Sequence, residues 1–230
     1  MNWVAGVDGC RQGWQVVDVL WTTGPDGDSP LMMKARIVED LAEVLNRRPA
    51  PERVALDMPI GLLSKGRAVS RQCDSQARKL LGPRRSSVFV PPTRAMLNAS
   101  DYQEVRVLGL SAQAFRIMPK IAAIDAWIDR ERQSQIIEAH PELAFAQLRG
   151  APMAHPKRLR QGREERLEAL SQIYPEFRSW VQNRRFFPAE DLLDAAVLAW
   201  TAWRALRGKA LRLPSEPPRD ERGLEMAIWG

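Results

Sequence analysis

The sequence predicts an α/β fold: a mixed sheet of three antiparallel strands plus two parallel ones, flanked by helices, with a helical insertion between strands four and five. Three observations predict it. The first 38 residues hold three β-rich runs separated by turn residues, with no helical period. A short helical pattern then precedes a fourth apolar run, and such a crossover lets that run lie parallel to the first. Residues 61–133 switch to helical periodicity before strand character returns.

Trp3 to Val7 reads as the first strand, followed by Asp8-Gly9 and a tight turn at Arg11-Gln12-Gly13. Trp14 to Trp21 is a second strand, rich in valine, and Leu31 to Val38 a third, across a loop of Gly, Pro, Asp and Ser. Leu41, Val44 and Leu45 recur at helical spacing, so Glu39 to Arg48 is a short helix that Pro49 and Pro51 end. Arg53 to Ile60 is the fourth strand, with Val54-Ala55-Leu56 buried on both faces. Within the insertion, Val69, Cys73, Ala77, Leu80 and Leu81 mark one helix. Ile117, Ile121, Ile124 and Ile128 mark a longer one, with Ser111 as N-cap and a kink or late start expected at Pro119. Between them, Pro83 to Pro92 reads as an extended loop. Gln135 to Ala139 is the fifth strand, and Pro141 opens a helix that Gly150 ends. Residues 151–163 form a basic loop, and two helices follow from Glu164 and from Glu176. Pro188 opens the last long helix and Gly208 closes it. The expected organisation is one domain over residues 1–230, with insertion 61–133 and an irregular tail 209–230, in which Met226-Ala227-Ile228-Trp229 reads either as a final strand or as a packed end.

Composition limits the chemistry. No apolar run reaches the length of a membrane span, and the N-terminus carries no charged leader, so a cytoplasmic protein without membrane contact is expected. Two cysteines, Cys10 and Cys73, exclude a disulfide framework or a cysteine zinc cage, and two histidines, His140 and His155, argue against a multi-histidine site. A metal would sit on carboxylate oxygens, which favours Mg2+ or Mn2+. A net charge of +6 suits a polyanionic partner, although only six of the 34 basic residues are lysine, a skew that codon bias also produces.

The acids carry the functional signal. Asp8 follows Gly6-Val7, Asp57 follows Val54-Ala55-Leu56, and Glu138 follows Ile136-Ile137. Asp191 and Asp194 lie three apart at the start of the last helix. Ionised carboxylates at the ends of apolar strands are costly unless neutralised, and several together call for a divalent cation. Arg67, Arg71, Asp74 and Arg78 follow at spacings of four, three and four, with Arg84, Arg85 and Arg94 beyond them. They form a candidate phosphate surface, or else a solvated helix face.

Over nearly its whole length the chain resembles the domain-of-unknown-function family 429. The resemblance runs through Gly6-Val7-Asp8-Gly9-Cys10-Arg11 and Gly13-Trp14, then Asp57-Met58-Pro59-Ile60-Gly61-Leu62 and Arg71-Gln72-Cys73-Asp74. It continues through Ala77-Arg78, Leu81-Gly82, Ser86-Ser87-Val88-Phe89, Pro92-Thr93-Arg94 and Pro119-Lys120-Ile121. Glu138-Ala139-His140-Pro141-Glu142 and Asp191-Leu192-Leu193-Asp194-Ala195 complete it. Gln12 and Ala139 depart from the pattern without touching chemistry.

The resemblance implies a ribonuclease-H-like fold and nuclease activity. Enzymes of that superfamily place acids on the first strand, at the end of the fourth and on the last helix, where Asp8, Asp57 and Asp191 or Asp194 fall. The last-helix pair is also similar to that of Holliday-junction resolvases, some of which are dimers, so a homodimer is open. The expected catalytic acids are Asp8, Asp57, Glu138, Asp191 and Asp194, with Asp8, Asp57, Glu138 and Asp194 as metal ligands. Two ions roughly 3.5–4 Å apart would drive in-line attack of water on a phosphodiester. Arg11, Arg71, Arg78, Arg84, Arg94, Lys120 and His140 are the expected contacts to nucleic acid or nucleotide, and the insertion is expected to wall the site. Three alternatives stand beside this: a binding protein without catalysis, an actin-like phosphotransferase and a small phosphoester hydrolase.

Overall fold

The computed structural model describes residues 1–24, 27–183 and 187–230. Its centre is a five-stranded sheet of β1 (Asn2–Cys10), β2 (Gly13–Gly24), β3 (Gly27–Val38), β4 (Arg53–Leu56) and β5 (Ile136–Glu138), in the order β3-β2-β1-β4-β5. β1 pairs antiparallel with β2 and parallel with β4, and β4 pairs parallel with β5. Three antiparallel strands followed by two parallel ones make this the ribonuclease-H-like arrangement that the sequence predicts.

The sheet sorts its side chains with period two. Val4, Val17, Val19, Trp21, Ala55 and Ile137 face α9 (Ala189–Leu206), the last long helix, which lies across β1, β2 and β4. Ala5, Val7, Val16, Val54, Leu56 and Ile136 face the opposite layer, where α1 (Ala42–Asn46) and α4 (Ala112–Trp127) supply Val44, Ile121 and Ile124. Trp203 of α9 stacks on Trp21 of β2, with ring centroids 5.2 Å apart.

Gly6 sets the depth of that packing. A Cβ there would lie 1.9 Å from the carbonyl oxygen of Ala195 and 2.3 Å from the amide nitrogen of Ala199. Both are main-chain atoms, so no rotamer change relieves the clash. We expect Gly6→Ala to force α9 off the sheet and cost about 1–3 kcal/mol or more, as overpacking does. Urea unfolding measures it, and an unchanged midpoint would contradict the close approach.

Between β4 and β5 run α2 (Gln72–Leu81), two 3-10 turns at Gly82–Ser87 and Arg94–Asn98, α3 (Tyr102–Arg106), α4 and α5 (Arg130–Gln133). The expected extended loop at 83–92 therefore begins with a 3-10 turn. Pro119 neither delays nor ends α4, which is unbroken behind its Ser111 cap; the Ser111 hydroxyl accepts from the Ala114 amide at 3.1 Å. After β5 come α6 (Pro141–Arg149), α7 (Arg160–Ser171), α8 (Phe177–Gln182) and α9.

The tail ends in a strand within Met226–Trp229, one of the two readings expected there, and the stretch before it is more ordered than the irregular segment expected. β6 (Arg212–Leu213) and β7 (Ile228–Trp229) pair antiparallel, and Leu213, Leu224, Met226 and Ile228 are buried. Its charges are anchored too: Arg94 pairs with Asp125 at 2.9 Å, Asp220 at 2.5 Å and Glu221 at 2.8 Å. Proline and charge read as loop in the sequence because the residues that hold this segment, Arg94, Asp125 and Gln133, lie about ninety residues or more upstream. Among the described residues, no helix is long and apolar enough to cross a membrane.

Candidate active site

Strand parity and the packing of α9 build the site. Asp8 follows Val4 and Gly6 on the α9 face of β1. Asp57 is the residue after β4; its amide donates to the Val7 carbonyl at 2.9 Å, which sets it beside Asp8. Asp194 sits in the second turn of α9, next to the Ala195 that lies against Gly6. Asp8, Asp57 and Asp194 thus line one cleft of about 290 Å³ with Lys157, His140 and Glu142. The insertion supplies its other wall through Arg84, Ser87, Phe89, Gln113 and Ile117.

Asp8 is only 7% exposed, yet neither it nor Asp57 accepts a hydrogen bond or forms an ion pair among the described residues. Burial, then the charges of Asp57 and Asp194, hold the Asp8 carboxyl well above the usual range. Burial pushes Asp57 up to about 6, with His140 pulling down and Asp194 pushing up. Burial also raises Asp194, against the pull of Lys157, whose ammonium contacts its Oδ2 atom. Burial opposes the charge on Lys157, but Asp194, Asp8 and Asp57 outweigh it and keep the lysine protonated. Asp191 is half-buried at the edge of this cluster and is raised by desolvation.

A pH dependence follows. An aspartate with an ordinary pKa of 3.8, raised to about 6 on folding, keeps its proton in the folded state where the unfolded chain has released it. Stability of the metal-free protein should therefore fall as pH rises from about 4 to 6, the reverse of a salt-bridged carboxylate. The effect is at most about 3 kcal/mol, and water in the cleft screens part of it. Urea midpoints at pH 4 and 7 should differ less in Asp57→Asn than in the wild type; equal pH slopes would refute this origin.

Glu138, expected among the metal ligands, stands apart. It pairs in register with Leu56, which faces the α4 layer, so it lies outside the cleft of Asp8, Asp57 and Asp194 and meets Asp57 and His140 only in a separate small pocket of about 20 Å³. There Arg71 grips both its oxygens, at 2.5 and 2.9 Å, and the Ile60 amide donates at 2.7 Å. The same guanidinium holds Asp74 at 2.8 Å and donates to the carbonyls of Ile60 and Gly61. Burial pushes Glu138 up to about 7 against the pull of Arg71.

The expected phosphate contacts divide in the same way. Arg84 and His140 line the cleft. Arg71 is buried on Glu138 and Asp74, and Arg94 is engaged by the tail. Lys120 donates to the Gly13 carbonyl at 2.7 Å and lies over the Trp14 ring. Arg78 reaches the Arg85 carbonyl and the Ser70 hydroxyl, and Arg11 is exposed at the β1–β2 turn. The arginine stripe breaks up because α2 begins at Gln72: Arg71 is an extended N-cap residue rather than part of a helical face.

Lys157 and Glu142 are the residues sequence reasoning missed. Lys157 lies in a loop without periodicity and carries no local signal. Glu142 follows Glu138 by four residues and opens α6, which was the available clue. It is 6% exposed and held by Arg166 and, at 3.2 Å, by Arg84, while among the described residues its Oε2 atom has no partner. His140 contacts the Ser87 carbonyl through Nε2 at 3.3 Å and, among the described residues, its buried Nδ1 atom has no partner.

A hard divalent cation fits these donors in chemistry: all are oxygens, and Asp8 and Asp57 are free to ligate. Among the described residues, no group of three or more His, Cys, Asp or Glu side chains closes into a finished cage. Two free carboxylates are nonetheless what magnesium ordinarily takes from protein, with water and substrate phosphate completing its shell.

Two solved structures are similar in outline. The Thermus thermophilus RuvC structure is 16% identical with a TM-score of 0.37, covering 90% of this chain and 97% of that one. T. thermophilus RuvC in complex with a Holliday junction substrate is 15% identical with a TM-score of 0.36, at the same coverage. At such scores the fold is read from strand order and sense, not from these neighbours. No curated protein matches the chain. The family model described as "Protein of unknown function (DUF429)" matches residues 6–219, from the strand that carries Asp8 to the tail that Arg94 anchors, and the chain belongs to that family.

Proposed function

We propose that the protein is a divalent-metal-dependent phosphodiester hydrolase acting on nucleic acid. The observation that carries this reading is the convergence of Asp8, Asp57 and Asp194 in one cleft, with Asp8 and Asp57 buried or half-buried and unpaired. Such carboxylates are strained as they stand and are relieved by a cation.

Asp8 and Asp57 would hold Mg2+ or Mn2+ between the ends of two adjacent parallel strands. When bound, the ion supplies Lewis acidity to the phosphate and lowers the pKa of the attacking water. Lys157 and Arg84 place positive charge on the rim, where a phosphate approaching the acids needs it. His140 lines the cleft close enough to Asp57 to pull its pKa down, which places the ring to contact a substrate phosphate. Phe89 and Ile117 give the insertion wall an apolar surface against which a base or sugar can lie.

The size of the cleft supports a second reading, a small nucleotide phosphoester as substrate. At about 290 Å³ it is near the lower end of ordinary small-ligand pockets. One experiment tests both: a panel of single- and double-stranded RNA and DNA, branched DNA and free nucleotides, with Mg2+ or Mn2+, beside Asp8→Asn. Cleavage of a polymer by the wild type alone supports the first reading, and cleavage of nucleotides alone the second. Binding without turnover by either protein would leave a binding protein and overturn both.

A further inference from the structure

We propose that Lys157 is a built-in second cation of the cleft, so that the site takes one divalent ion, seated on Asp8 and Asp57, rather than two. The inference rests on the metal-dependent reading above and narrows it.

Lys157 does not behave as a loose surface lysine. Its ammonium is on Asp194, and its field reaches Asp8, Asp57 and Asp191. The loop that presents it is pinned along its length. Glu165 accepts from the Ala154 amide at 2.9 Å and the His155 amide at 3.1 Å. Arg166, 1% exposed, donates to the His155 carbonyl at 3.1 Å and the Gly162 carbonyl at 2.7 Å while its other arm holds Glu142. The Pro156 carbonyl lies so close to Gly162 that a Cβ there would meet it at 2.0 Å. The residue next to Lys157 is therefore wedged against α7, and the lysine is held over the acids from a fixed base.

The acids are correspondingly unequal. Asp194 is already compensated, whereas Asp8 and Asp57 have no counter-charge in contact. Charge balance agrees. One divalent ion and one ammonium match the three aspartates that line the cleft, Asp8, Asp57 and Asp194, with Asp191 outside that lining. A second ion would have to displace Lys157 from Asp194 or share that oxygen with it. Glu142 brings no spare charge for a second ion, because Arg166 and Arg84 both contact its Oε1 atom.

The test counts ions on the full chain. Mn2+ is titrated by calorimetry, with the free-ion electron paramagnetic resonance signal giving stoichiometry, for wild type, Lys157→Met and Lys157→Arg. We expect one ion per chain in the wild type and in Lys157→Arg. Lys157→Met should take a second ion or bind the first about tenfold more tightly, a change of the size seen when groups around a metal site are altered. Two ions in the wild type would overturn the proposal without any variant, so a poorly folded Lys157→Met cannot rescue it. Unchanged stoichiometry and affinity in a folded Lys157→Met would overturn it as well. Two ions with cleavage intact would remove this inference alone. No ion and no cleavage would remove the metal-dependent reading with it.

Discussion

Replacing Asp8 by asparagine should lower phosphodiester cleavage by about 10²–10³-fold or more, the scale of losing a central electrostatic contact in an enclosed site. The metal-free protein should at the same time become more stable. Asp8 is buried without a hydrogen bond or cation, so its charge is a cost of the resting fold, and asparagine keeps the shape while removing the charge. Each kcal/mol regained raises the melting temperature of a chain this size by about 2–4 °C. Mn2+ should stabilise the wild type and not the variant. Activity assays and melting curves with and without Mn2+ check the pair of effects. An Asp8→Asn protein that cleaves at the wild-type rate would place the chemistry elsewhere.

Arg71→Met should have the opposite character, with a large loss of stability. The substitution leaves Glu138 and Asp74 facing each other in a dry interior, and breaking a buried ion pair from one side costs about 3–5 kcal/mol. At about 2–4 °C per kcal/mol, the melting temperature should fall by roughly 6–20 °C. Glu138→Gln keeps one acceptor oxygen for the Ile60 amide and Arg71 Nη1, gives up the contact to Nη2, and should lose less than Arg71→Met. Neither substitution should change Mn2+ affinity beyond about twofold, because both oxygens of Glu138 are already taken by Arg71 and the Ile60 amide and neither residue lines the cleft of Asp8, Asp57 and Asp194. A tenfold loss of affinity in a folded Glu138→Gln would return Glu138 to the metal site. Thermal melts and calorimetry on the same preparations separate the outcomes.

The contrast between Asp57 and Glu138 shows where the sequence stops being informative. Both follow an apolar run, and nothing local separates them. What separates them is register: Asp57 falls one residue past Leu56 and reaches the cleft beside Asp8, while Glu138 pairs with Leu56 itself and is taken up by Arg71. Register belongs to the pairing of strands some eighty residues apart and cannot be read from either run. Strand order was legible, because the turn at Gly13 and the crossover through Val44 leave few topologies open. Asp194 was legible as one of a pair, and the packing of Ala195 on Gly6 decides which of the two faces the cleft. Lys157 was not, since it acts through a loop held by Arg166 and Glu165, and loop geometry leaves no periodic trace.

The contact between Gly6 and α9 acts as a jig. Gly6 and Asp8 are two residues apart on one face of β1, and Ala195 is the immediate neighbour of Asp194. The separation between these acids is consequently gauged by main chain against main chain, with no intervening side chain whose rotamers could loosen it. Repacking of the Trp21–Trp203 stack or the β3 edge can then vary in sequence without altering that gauge. A change at Gly6, by contrast, resets the spacing and unseats the helix in one step. The tolerance of the site is thus set by a residue that has no side chain and touches no substrate.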